Sequence, residues 1–128
     1  MSEYVLDASA LLAMLQNEPG AEFVQKKLQN SVISSVNFSE TVSRLVRHGM
    51  PENEIKDLLN LLGLEIIPFF EEQAYQCGFM SSSTKSTGLS FADRACLALA
   101  QQLDRIALTA DRAWMSLSID IQVEMIRK

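Results

Sequence analysis

Short apolar runs alternate with stretches of helical periodicity along the whole chain, and this alternation restricts the fold more than any other feature. The runs are Tyr4-Val5-Leu6, Val32-Ile33-Ser34-Ser35, Leu64 to Ile67, Ile106-Ala107-Leu108 and, less sharply, Ile121 to Ile126. They are too short for helices and mostly lack the polar alternation of half-exposed strands, so they read as buried strands. Between them the spacing predicts helices over Ala10–Gln16, Ala21–Leu28, Phe38–His48, a segment opened by Pro51, Glu71–Met80 and a segment begun by Ser90, then a short turn over Asp111–Met115. Either Asp7 or Ser9 can cap the first helix, Pro19-Gly20 ends it, and Gly49 closes the third. Ile55, Leu58, Leu59 and Leu62 share one helical face, as do Ala92, Cys96, Leu99 and Leu103. Only Ser81 to Ser86 reads as a flexible polar loop. The expectation is one α/β domain over residues 1–128, with a parallel sheet covered by helices on both faces.

The chain has 128 residues, enough for one domain with a real core. It lacks the roughly 20-residue apolar stretch of a membrane span, and its first residues, MSEYVLDASALLAML, lack the basic segment of a secretory signal. Cys77 and Cys96 stand alone and His48 is the one histidine, which excludes zinc ligation by sulfur and imidazole and fits reduced thiols in the cytoplasm. The net charge of −5, from 16 acids and 11 bases, argues against binding nucleic acid through bulk positive charge. That argument weakens if four acids share one site, because 12 acids then face 11 bases over the rest of the chain.

Four acids do occupy corresponding positions. In an open parallel sheet, function gathers beyond the carboxyl ends of the strands. Asp7 follows the first strand, and Asp111 follows the fourth by a short step. Glu40 and Asp93 fall in the expected first turns of their helices, and right-handed crossovers bring such points to one sheet edge. Each also has a structural explanation. Asp7 and Asp111 can cap helices, Ser90-x-x-Asp93 has capping-box spacing, and Glu40 can pair with Arg44 at i+4. Taken together they point to a cation, since two carboxylates ~4 Å apart repel by ~4 kcal/mol at an effective dielectric of about 20. An all-oxygen donor set suits Mg²⁺ or Mn²⁺, and phosphodiester hydrolysis is the matching chemistry.

The chain resembles PIN-domain nucleases, and within them the VapC-type toxins of VapBC toxin–antitoxin pairs. The likeness rests on Val5-Leu6-Asp7-Ala8-Ser9-Ala10, Asn37-Phe38-Ser39-Glu40, the run from Leu89 to Ala100 around Asp93, and Leu108-Thr109-Ala110-Asp111-Arg112-Ala113-Trp114. The family's acidic quartet corresponds to Asp7, Glu40, Asp93 and Asp111; Ala92 stands where many members carry Gly. The resemblance implies a five-stranded parallel sheet and Mg²⁺- or Mn²⁺-dependent cleavage of structured RNA. It also implies a homodimer, and inhibition by a VapB-like antitoxin that lays an amphipathic helix and a basic tail across the toxin. On this reading Asp7, Asp93 and Asp111 bind metal, Glu40 orients a water or a second ion, and Ser9 and Thr109 support the site through their hydroxyls.

Arg44, Arg94 and Arg112 are candidates for RNA phosphate contacts, with Arg47, His48 and Lys85 weaker ones; a solvated helix face is the alternative for each. Trp114 suits either base stacking or the core. The leucine-rich face with Leu58 and Leu59 suits either the core or a partner's helix. A response-regulator receiver would need an acceptor Asp where the third strand instead meets Pro68. A dehalogenase-type phosphatase would need Asp where position 9 is Ser. The remaining rival is a PIN fold that binds RNA or a partner without cutting.

Overall fold

In a computed structural model the protein is described over residues 3–128. Five strands, β1 (Tyr4–Leu6), β2 (Ser31–Ser34), β3 (Glu65–Ile67), β4 (Ile106–Thr109) and β5 (Val123–Met125), form one parallel sheet in the order β3-β2-β1-β4-β5. The helices are α1 (Ala8–Leu15), α2 (Ala21–Lys27), α3 (Ser35–Arg47), α4 (Glu52–Leu61), α5 (Glu71–Ser83) and α6 (Phe91–Leu103). The expected five-stranded α/β architecture is therefore the one observed.

Successive strand residues face opposite sides of a sheet, and the core divides accordingly. Val5, Val32 and Ala107 pack with Cys77 and Met80 of α5 and with the buried Ala95–Ala100 run of α6. Tyr4, Leu6, Ile33 and Leu108 pack on the other side with Ala10, Leu11 and Ala13 of α1 and Val24 of α2. Leu6, Ile33 and Leu108 are fully buried, each contributing about 1.5–3 kcal/mol of apolar burial. A third cluster joins Ala8 and Leu12 of α1 to Leu45 of α3 and Ile55 and Leu59 of α4.

Two expectations change. Ser35 belongs to α3 and not to a strand: the Ser34 hydroxyl accepts from the Val36 amide at 3.2 Å and caps the helix there, which puts Glu40 in its second turn. Ser81–Ser83 is the end of α5, not a loop. The Ser83 and Thr84 hydroxyls donate to the Met80 carbonyl at 3.2 and 2.8 Å, satisfying an acceptor at the helix end. Lys85–Thr87 then forms a 3₁₀ turn. Of the two alternatives for the Leu58–Leu59 face, the core is the one observed: Leu59 is buried and Leu58 half-buried within the third cluster.

The strand order reverses between β1 and β4, where the chain finishes building leftward through β2 and β3 and returns to build β4 and β5 on the right. That reversal opens a crevice at the carboxyl ends of the two strands.

Candidate active site

Asp7 stands in this crevice. Its amide donates to the Leu108 carbonyl at 3.1 Å, continuing the β1–β4 ladder, and its Oδ1 accepts from the Ala10 amide at 2.8 Å, capping α1. Two hydroxyls turn toward the same carboxylate. Ser9 Oγ lies 2.7 Å from Oδ1 and 2.9 Å from Oδ2, and Thr109 Oγ1 donates to Oδ2. Each hydroxyl oxygen is held in turn by the loop after β4: the Ala110 amide donates to Ser9 Oγ at 2.9 Å, and the Asp111 amide to Thr109 Oγ1 at 3.0 Å. Amide, hydroxyl and carboxylate thus run in two short chains that fix Asp7 relative to Asp111.

Asp7 is 3% exposed. Burial pushes its pKa from the ordinary 3.8 up to about 6; the bonds from Thr109, Ala10 and Ser9 oppose that rise, and the charge of Asp93 adds to it. A buried carboxylate without a cationic partner is an unfavourable place for a negative charge.

Glu40, Asp93 and Asp111 line one open cavity of about 270 Å³ with Asp7, bordered also by Ser9, Arg44 and Ser90. Their structural roles are real too. Asp93 Oδ2 accepts from the Ser90 amide at 3.0 Å while Ser90 Oγ accepts from the Asp93 amide at 3.1 Å, a complete capping box on α6. Asp111 Oδ1 accepts from the Ala113 amide at 3.0 Å and starts the 3₁₀ turn Arg112–Ser116. Glu40 lies 4.0 Å from Arg44; burial raises its pKa, Arg44 lowers it and Asp93 raises it. In Asp93 and Asp111 the cap engages one carboxylate oxygen, and among the described residues no hydrogen bond engages the other. Beneath them Cys96 is fully buried, and its thiol is pushed well above the usual range by burial and by the charges of Asp7, Asp93 and Glu40. It is an inert packing residue.

Among the described residues, no three acidic, histidine or cysteine side chains stand close enough together to hold an ion directly.

The remaining candidates separate. Arg44 borders the acidic cavity, half-exposed. Arg94 turns away, its Nη1 donating to the Cys77 carbonyl at 3.0 Å, so it ties α6 to α5. Arg112 is exposed on a neighbouring cavity. His48 Nδ1 lies 2.8 Å from Gln16 Nε2, away from the acids. Trp114 is 1% exposed and belongs to the core. Asn37 is a residue whose role the sequence reading missed. It is buried, and its Nδ2 donates to the Ala92 carbonyl at 3.0 Å, linking the Glu40 helix to the start of the Asp93 helix. Its spacing was the available signal, since i and i+3 put Asn37 and Glu40 on one face.

Sheet order, crevice and acidic cavity together define a known class. Residues 4–118 match the PIN domain family, and the chain belongs to it. Among solved structures it is similar to the DNA-bound VapBC of Salmonella typhimurium, with 17% identity over 98% of this chain and 99% of that chain and a TM-score of 0.78. It is similar also to VapBC-1 of nontypeable Haemophilus influenzae (20% identity, 98% of each chain, TM-score 0.74). A third such structure is FitAcB of Neisseria gonorrhoeae (23% identity, 94% of this chain and 95% of that chain, TM-score 0.66). At these identities the likeness is one of fold. No curated protein matches the chain. Among the described residues no helix is long and apolar enough to cross a membrane.

Proposed function

We propose that this protein is a Mg²⁺- or Mn²⁺-dependent endoribonuclease that cuts structured RNA in the cytoplasm, as the toxin of a VapBC-type toxin–antitoxin pair. The observation that carries this reading is the buried, destabilised carboxylate of Asp7 at the sheet's reversal point, sharing one open cavity with Glu40, Asp93 and Asp111. The donor chemistry fits a hard cation. All four groups offer oxygen, and Mg²⁺ keeps most of its waters while binding through one or two carboxylates.

A bound divalent ion would supply a water acidified toward neutrality and would neutralise phosphate charge. The chain's residues do the rest. Ser9 and Thr109 hold the Asp7 carboxylate in one orientation, and Asp93 and Asp111 offer their uncapped oxygens. Glu40 would orient a water or a second ion across the cavity. Arg44 reaches the phosphate from the rim.

An apolar groove of about 560 Å³, lined by Phe38, Val42 and Val46 of α3, Ile55 and Leu59 of α4, and Ile66 of β3, supports the partner assignment. It is the place for an antitoxin helix, with a basic tail crossing the acids. Exposed Phe70, Tyr75, Phe79 and Phe91 offer an aromatic surface for the homodimer.

Purified protein should cut structured RNA with Mg²⁺ or Mn²⁺, and neither with EDTA nor as Asp7→Asn. Cutting that survives both treatments would overturn the mechanism. RNA binding without cutting in any divalent metal would favour the non-catalytic module.

A further inference from the structure

A net charge of −5 and an acidic cavity at the sheet edge leave a polyanionic substrate with little to attract it. Attraction has to come from cations close to the acids, because charges more than about 8 Å away are largely screened at physiological salt. A second cavity of about 460 Å³ is built on the segments that follow β4 and β5, next in sequence to Asp111. It is lined by Arg112, Met115, Met125, Ile126, Arg127 and Lys128, three cations over an apolar floor.

The two cavities are joined through one segment. Met125 pairs with Thr109 in the sheet, and the Ile126 amide donates to the Thr109 carbonyl at 3.0 Å. Thr109 is the residue whose hydroxyl donates to Asp7, and Arg112 directly follows Asp111. The cationic wall is also held in place. Arg127 Nη1 donates to the Pro19 carbonyl at 2.9 Å and lies 3.6 Å from Glu18 Oε1, binding the end of the chain to the α1–α2 turn. At that turn Gly20 has φ of +97°, and a Cβ there would meet the Ile126 carbonyl oxygen at 2.8 Å. Arg127 is thereby partly neutralised by Glu18. Arg112 and Lys128 are exposed, with no ion pair to a carboxylate among the described residues.

We propose that this cavity is an RNA-binding subsite, taking a backbone phosphate neighbouring the one that is cut, with Arg112 and Lys128 as its ligands. Met115, 67% exposed, and Met125 lie against the ribose or base. The proposal rests on the ribonuclease reading above. It names a part of the molecule that holds substrate beside the acidic cavity.

The test uses Asp7→Asn protein, which retains the cavity, and a fluorescent hairpin RNA titrated with Mg²⁺ present. With Arg112→Gln and Lys128→Gln added, affinity should fall about tenfold at ~0.1 M salt, and the slope of log K against log salt should shrink by about one, for the one phosphate released. In the cutting protein the same pair should raise KM with kcat retained. An unchanged thermal midpoint would show that the fold is intact; Arg127 is left in place because it ties the chain end down. Unaltered RNA affinity and salt slope, in a protein whose wild type still cuts RNA, would overturn the subsite and leave the ribonuclease reading standing. Unaltered RNA affinity with weakened binding of a protein partner would overturn it too, assigning the cavity to an acidic segment of that partner. A wild type that neither binds nor cuts RNA would remove both proposals together.

Discussion

At the scale of single residues, Asp7 caps a helix with a buried carboxylate, at a cost in stability. It caps α1, receives two hydroxyls, and still has its pKa raised to about 6 by burial. The sign of the linkage follows. Above about 6 the group is charged in both folded and unfolded chains, and the difference from 3.8 costs about 3 kcal/mol. Below 3.8 it is neutral in both, and that cost is gone. Metal-free protein should therefore gain stability as pH falls from about 7.5 to 5, recovering about half of that sum. Melts in EDTA should show the gain in wild type and lose most of it in Asp7→Asn. An equal slope in both would assign the effect elsewhere.

At the scale of elements, the caps that start helices also aim the acids. Asp93 is both the N3 member of the α6 capping box and a wall of the acidic cavity. Asn at 93 keeps an oxygen for the Ser90 amide and removes the charge, whereas Ala removes both. In EDTA, Asp93→Asn should melt at or above the wild-type temperature. Asp93→Ala has lost its half of the capping box as well, and should fall below the Asn variant by about 1 kcal/mol. Both should fail to cut RNA. Full activity in Asp93→Asn would leave Asp93 as a cap alone. Between elements, the Asn37 bond to the Ala92 carbonyl keeps α3 and α6, and hence Glu40 and Asp93, at a set separation.

At the scale of the whole molecule, the proposed antitoxin would be held by the α3–α4 groove and the acidic cavity together. Val46 and Ile66 line the groove and are 50% and 41% exposed, so a polar side chain there can reach solvent without opening the core. Val46→Glu with Ile66→Lys should leave the melting free energy within about 0.5 kcal/mol per site. The same pair should weaken binding of an antitoxin helix at least tenfold by calorimetry. Leu59, 7% exposed, would unfold α4 from the core when made polar and cannot serve as that probe. Equal antitoxin affinity for the doubly substituted protein would place the helix on another surface.

Much of this was legible in the order of residue types. Apolar runs such as Tyr4–Leu6 have no stable place except a buried strand, and Ser90 with Asp93 three residues on states its helix start locally. Asp7, Glu40, Asp93 and Asp111 stood out because strand ends in a parallel sheet share an edge. Local competition misled at Ser35 and at Ser81–Ser83, where hydroxyls bonding to nearby backbone favour helix over the strand or loop that composition suggested. What depends on pairs far apart in the chain could be decided only by the folded molecule. The placement of β1 against β4, the burial that raises Asp7, the turning of Arg94 to Cys77 and away from the acids, and the meeting of Arg112 with Lys128 each join residues whose separation no local pattern encodes. Strand and cap preferences act over a few neighbouring residues, whereas desolvation and charge depend on the packing of the whole chain.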